Sequence, residues 1–180
     1  MLEILAIICL GGFLLIAKRS VVWALALIIL LLPSYLWRLD FLGWPTTFLE
    51  LMIVGLFIFW LIKQQRRQKI NWRLSGFANR IAKPWRYFIL TWLLVSVIAL
   101  IFNFNLSALG LWRPYFLEPI LFLLIFLYSV KNKEDRQIIF YGLGGLVVWL
   151  AFVAIWQSFT AWNLPAAYNE PNIKRLTAVF

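Results

Sequence analysis

The chain has 180 residues, of which 64% are hydrophobic and 13% are charged. This composition excludes an ordinary soluble domain, in which charged residues make up about a quarter of the chain. Because the sequence has no histidine and a single cysteine, Cys9, it also excludes an intramolecular disulfide and imidazole acid–base chemistry, and it lacks the usual zinc ligands. The net charge of +10 could suggest nucleic acid, but surplus Lys and Arg in a membrane protein serve topology first. We therefore expect no nucleic-acid partner.

Apolar stretches of bilayer-crossing length follow one another along the chain. A hydrocarbon core about 30 Å thick requires roughly 17–25 apolar helical residues. Such stretches form helices because lipid offers no partners for backbone polar groups. The predicted spans cover roughly 2–17, 21–37, 46–62, 87–104, 115–130 and 138–157. We therefore predict an all-α, polytopic transmembrane helix bundle of about six spans, forming a single domain over residues 1–180.

The longest hydrophilic connection, residues 63–86, holds eight Lys and Arg and no acidic residue. The positive-inside rule places this basic loop in the cytoplasm, facing the anionic lipids of that leaflet. Thirteen of the 17 cations then lie inside and four outside, so both ends of the chain face outward. Leu74, Phe77, Ala78 and Ile81 recur at helical spacing and predict a short amphipathic helix on the membrane surface. Its main interpretation is an interfacial anchor, and its alternative is a lipid sensor or docking helix.

Prolines help to place the ends of the predicted spans. Pro45 and Pro114 are expected in the first turns of the third and fifth spans, where a missing N–H costs nothing. Pro33 lies inside the second span and predicts a kink near its outer end.

The sixth span opens with a cluster of glycines, Gly142, Gly144 and Gly145. The cluster lies among apolar residues and is not followed by the Lys-Ser/Thr pair of a phosphate loop. It therefore predicts a surface for close helix packing.

Ionisable groups at the edge of a bilayer are costly, so each one requires an explanation. Those on the outer side are Arg38, Asp40, Glu50, Arg113, Glu118, Lys174 and Arg175. Glu50 and Glu118 fall in the first turns of helices that start outside, where the helix dipole favours negative charge by about 0.3–1 kcal/mol. Arg113 and Glu118 either form an ion pair that seals the outer rim or line a cavity for an anionic headgroup. Lys174 and Arg175 either bind an anionic phosphate or belong to a solvated loop.

Two short segments carry a family resemblance. The run Arg175-Leu176-Thr177-Ala178-Val179-Phe180 resembles the Arg-x-Thr-x-x-Phe stretch of the O-antigen ligase and O-antigen polymerase superfamily of bacterial membrane glycosyltransferases. The run from Arg113 to Pro119 also resembles a segment of that family. In the family this part is followed by further spans and a large loop with essential arginine and histidine residues. We therefore expect these 180 residues to be the N-terminal portion of a longer protein.

The resemblance implies transfer of a saccharide, by ligation or polymerisation, from a polyprenyl-diphosphate-linked donor. It places this step in cell-envelope polysaccharide or O-antigen biosynthesis, at the outer face of the bacterial inner membrane. It implies no metal and no other cofactor. Arg175 is then the first candidate for binding the carrier diphosphate, followed by Lys174 and Arg113. Glu118 would orient Arg113, and the catalytic residues stay unassigned.

Two other classes of function remain open on the sequence alone. A transporter or flippase for a lipid-linked solute would place polar or broken helices near the middle of the membrane. The predicted spans are almost wholly apolar there, which argues against this class. A non-catalytic membrane scaffold would agree with the apolar spans and with the amphipathic loop helix.

Overall fold

The computed structural model describes residues 2–36, 38–41, 44–66, 83–102, 104–160, 169–170 and 173–174. Its regular structure is almost entirely helical, which confirms the predicted all-α class. The helices, in chain order, are α1 (Leu2–Arg19), α2 (Val21–Leu30), α3 (Phe48–Arg66), α4 (Lys83–Phe102), α5 (Leu106–Trp112), α6 (Glu118–Ser129) and α7 (Lys133–Thr160). A π-helical turn, Arg113–Leu117, joins α5 to α6 in one continuous helical stretch.

Three helical stretches are long and apolar enough to cross a membrane: Phe48–Gln65, Ala108–Ser129 and Lys133–Thr160. Their 18, 22 and 28 residues correspond to about 27–42 Å at a rise of about 1.5 Å per residue, against a hydrocarbon core of about 30 Å. Two further apolar helices, Val21–Leu30 and Tyr87–Phe102, are shorter. These helices indicate a membrane protein, whereas the number of about six spans stays a prediction.

Helix α2 lies at the centre of the packing, because it contacts α1, α3, α6 and α7. Its sequence is apolar on every face, as expected of a helix that is surrounded by others. Leu25 and Ile28 are among the largest fully buried side chains of the described residues. The helix begins after Ser20, whose Oγ accepts a hydrogen bond from the Trp23 N–H at 3.4 Å.

The kink predicted at Pro33 is confirmed as a break in the helix. Helix α2 ends at Leu30, and the chain continues as a 3-10 turn over Leu32–Leu36. The Ser34 N–H donates to the Leu31 carbonyl at 2.8 Å, which is the tighter bonding of such a turn. A proline at this position has no N–H to donate and disfavours helical backbone in the residue before it.

The close packing predicted from the glycines is confirmed at two of the three positions. A Cβ added at Gly142 would lie 2.7 Å from the Ala26 carbonyl oxygen, and one at Gly145 would lie 2.9 Å from Leu30 Cδ1. Both neighbours belong to α2, so these glycines allow α2 and α7 to approach closely. Gly144 faces open space.

A short antiparallel hairpin precedes α3 and corrects the expected position of Pro45. Strand β1 (Arg38–Phe41) pairs with strand β2 (Trp44–Thr47), with Asp40 opposite Pro45. Helix α3 begins only at Phe48, so Pro45 lies in the strand that leads into the helix and not in its first turn. A second small hairpin pairs β3 (Asn169–Glu170) with β4 (Ile173–Lys174).

The basic loop predicted over residues 63–86 is described only at its two ends. Residues 63–66 complete α3, and residues 83–86 begin α4. The amphipathic helix predicted from Leu74, Phe77, Ala78 and Ile81 lies outside the described residues.

Candidate functional site

The candidate site is a cluster of charged side chains where the start of α3 meets the π-helical turn. Arg113 Nη1 lies 3.1 Å from Glu50 Oε1, in an ion pair between two segments far apart in sequence. The two side chains are 21% and 13% exposed, so the pair is mostly shielded from solvent. Charge-assisted contacts of this kind are about twice as strong as neutral hydrogen bonds.

Glu50 is held in place by the threonines that end strand β2. The Glu50 N–H donates to Thr47 Oγ1 at 3.2 Å, and Thr46 Oγ1 donates to Glu50 Oε2 at 2.8 Å. Thr47 and Glu50 have the spacing of a capping box, in which a hydroxyl satisfies a free N–H of the first helical turn. The helix start therefore fixes the carboxylate toward Arg113. The expected position of Glu50 in a first turn is confirmed.

Arg113 is presented by a local widening of the helix. The Glu118 N–H donates to the Arg113 carbonyl, five residues back, which defines the π-helical turn. Pro114 lies within this turn and Pro119 lies two residues after its end. A proline removes one regular helical hydrogen bond and crowds the preceding turn. Pro114 was expected in a first helical turn, but the continuous helix begins at Leu106, so that expectation is wrong.

Glu118 lies beside the ion pair and is almost fully buried, with 4% of its surface exposed. Its carboxyl interacts electrostatically with both Glu50 and Arg113. Among the described residues, no group forms a hydrogen bond with Glu118 Oε1. Because the Glu118 N–H is bonded within a continuous helix, the free helix terminus that was expected to explain this residue is not present.

The structure thus pairs Arg113 with Glu50, and Glu118 interacts electrostatically with both; whether Arg113 and Glu118 seal the rim or line a headgroup cavity stays a prediction. The sequence analysis included Glu50 among the outer ionisable groups but explained it by the helix dipole. Few charged residues were predicted on the outer side, and a shielded arginine requires a carboxylate partner. Glu50 could therefore have been identified as one of the few possible partners of Arg113.

Trp112 and Phe116, on the helical stretch that carries Arg113, pack with their rings against α4. Trp112 Nε1 donates to Ser96 Oγ at 3.1 Å, which ties α4 to this turn. The Trp112 and Phe116 rings stack with centroids 6.4 Å apart, and Trp92 lies 4.8 Å from Phe116. The site therefore combines charged groups with flat apolar surfaces. The sequence analysis did not identify Ser96 as part of it.

Lys174 and Arg175 are not placed relative to this cluster. Lys174 lies in strand β4, where its backbone pairs with Asn169. Its side chain and the whole of Arg175 lie outside the described residues. Their expected role in binding a diphosphate stays a prediction.

Chemically, the cluster offers both donors and acceptors within the membrane-crossing stretch Ala108–Ser129 and at the start of α3. The guanidinium group can donate along fixed directions, and the carboxylates can accept from hydroxyl or amine groups. Searches against protein-family models, curated proteins and solved structures found no match to this chain.

Proposed function

We propose that this chain takes part in transferring a saccharide, by ligation or polymerisation, from a polyprenyl-diphosphate-linked donor in the bacterial inner membrane. The observation that carries the proposal is the shielded Glu50–Arg113–Glu118 cluster, which forms where the start of α3 meets the membrane-crossing stretch Ala108–Ser129. Charged groups in such positions are costly and are typical of substrate contact. The resemblance of the Arg113 and Arg175 segments to glycan ligases and polymerases supplies the reaction class.

The proposal includes a topology of about six spans, with the basic loop over residues 63–86 inside. Under this topology α3 starts at the outer face, as does the stretch that carries the π-helical turn. The charged cluster then lies on the side where the lipid-linked donor is used. The basic loop would meet anionic lipids on the opposite side.

In this proposal Arg175 and Lys174 bind the diphosphate of the carrier. Two adjacent cations on the outer side would hold the leaving group and stabilise the charge that develops on it during transfer. Arg113 was the third candidate for this role. Because its guanidinium group is paired with Glu50, it is less suited to phosphate than Arg175 or Lys174.

The test is replacement of Arg175 by alanine in the full-length gene, in its own host. We expect loss of surface glycan with an unchanged amount of protein in the membrane. The matched control is Arg136→Ala, because Arg136 is exposed and lies near the opposite end of the helices. Undiminished glycan in Arg175→Ala would remove this residue from the site.

A non-catalytic scaffold is the second candidate function, and one observation favours it. Helix α4 exposes apolar side chains on almost every face, including Tyr87, Leu90, Leu94 and Ile101. Such a helix could pack against other membrane proteins. Stoichiometric partners that co-purify with the chain, without any binding of lipid-linked sugar, would favour the scaffold.

A further inference from the structure

We propose that the Glu50–Arg113–Glu118 cluster binds the uncharged hydroxyl groups of a saccharide and not the phosphates of its carrier. This inference rests on the proposed function and assigns the sugar-binding part of the site. It separates two roles: the sugar at the cluster, and the diphosphate at Lys174 and Arg175.

The charge balance of the cluster disfavours a phosphate group. Arg113 is already paired with Glu50 at 3.1 Å, and the carboxyl group of Glu118 interacts electrostatically with both. A diphosphate would meet an arginine that is already paired and a second acidic group close by. Like charges in a poorly solvated site repel strongly, so phosphate is disfavoured there.

The hydrogen-bonding groups of the cluster suit a sugar hydroxyl. A sugar hydroxyl both donates and accepts, and the cluster supplies a partner for each role. Glu118 Oε1 is buried and has no hydrogen-bond partner within the described part of the chain. Leaving a buried acceptor without a partner is costly, and a hydroxyl donor would recover that cost.

The aromatic rings on the same helical stretch and on α4 also suit a sugar. Trp112 is adjacent to Arg113 in the chain, and its ring is held by the bond to Ser96 Oγ. Trp112, Phe116 and Trp92 form a partly exposed aromatic group on this side. Flat apolar rings beside a few fixed polar groups are typical of small-molecule sites, and a sugar ring has apolar C–H faces as well as hydroxyl edges.

The experiment compares two lipids with the full chain in nanodiscs: bare polyprenyl diphosphate, and the same carrier bearing a neutral disaccharide. We expect the wild-type chain to bind the sugar-bearing carrier about tenfold more tightly, which is the effect of one added hydrogen bond to a charged group. Glu118→Gln should abolish that difference. Glu50→Gln is the second variant, and Glu134→Gln, at the exposed start of α7, is the matched control.

Equal binding of the two carriers by the wild-type chain would overturn the inference while leaving the proposed function intact. The inference would also fail if Glu118→Gln weakened both carriers alike. Should the wild-type chain bind neither carrier, the proposed function fails, and binding of the free disaccharide decides the inference. Binding that depends on Glu118 would support it, and no binding would overturn it.

Discussion

Arg113 shows how one charged side chain can be kept at the edge of a membrane. Removing a charge from water is expensive, and the cost is recovered only where a partner and good geometry are present. Glu50 supplies that partner at 3.1 Å and is itself fixed by Thr46 and Thr47. The ion pair therefore depends on the hairpin and helix start that precede it.

Breaking this ion pair from either side should have unequal effects on stability. Glu50→Gln leaves Glu118 to accompany Arg113, so we expect the free energy of unfolding to fall by only about 1 kcal/mol. Arg113→Gln leaves two carboxyl groups without their cation, and we expect a loss of about 3 kcal/mol. Unfolding in mixed micelles titrated with SDS, followed by circular dichroism, gives these values.

The double variant with both Glu50→Gln and Arg113→Gln completes the thermodynamic cycle. Because the two side chains are in contact, its loss should be smaller than the two single losses added together. Additive losses would mean that the two residues do not stabilise each other.

At this scale the sequence identified the right residue types but not their partners. Arg113 and Glu118 were paired because they are neighbours in the chain. The contact with Glu50 joins segments far apart in sequence, and no local pattern encodes it. The threonines that position Glu50 are ordinary capping residues, and their role is visible only once the start of the helix is known.

Helices α2 and α7 pack closely because glycines of α7 lie against α2. Without a strong hydrophobic force between helices in lipid, close approach over small residues and van der Waals contact provide the stability. Gly142 lies directly against the Ala26 backbone. The two helices can be this close only because Gly142 has no side chain.

Gly142→Ala should therefore destabilise the protein, although alanine is the better helix former. The added Cβ would lie 2.7 Å from a backbone oxygen, and the helices would have to separate, at a cost of about 1–3 kcal/mol. Gly144→Ala is the matched control because no atom of the described residues lies within 4 Å of a Cβ added at Gly144. We expect it to leave the free energy of unfolding unchanged or to raise it by about 0.5–1 kcal/mol. Equal effects of the two substitutions, measured by the same SDS titration, would contradict the packing.

Helices, breaks and close helix contacts could be predicted where the length of an apolar run, a glycine or a proline determines them. The break at Pro33 and the close contacts of Gly142 and Gly145 are of this kind. The position of Pro114 was not, because the helix begins earlier, at Leu106, and passes through the proline by widening into a π-helical turn. Sequence patterns favour a proline at a helix start and do not reveal when a helix absorbs one.

At the scale of the whole molecule, the direction of the helices gathers the polar groups toward one end of the bundle. Ser34 follows the C-terminal end of α2, Thr46 precedes α3, and Gln157 is near the C-terminal end of α7; all three are buried. The continuous stretch after Leu106 carries Arg113 and Glu118. If the basic loop faces the cytoplasm, this end faces outward.

The proposed location of the charged cluster at the outer face depends on this orientation. Cysteine accessibility in intact cells tests the orientation directly. In a Cys9→Ser background, single cysteines at Gly76 in the basic loop and at Phe104 between α4 and α5 are treated with a membrane-impermeant thiol reagent. We expect labelling at position 104, which is exposed, and none at position 76 until the cells are opened. Labelling at position 76 in intact cells, with protection at position 104, would place the charged cluster on the cytoplasmic side and contradict the account.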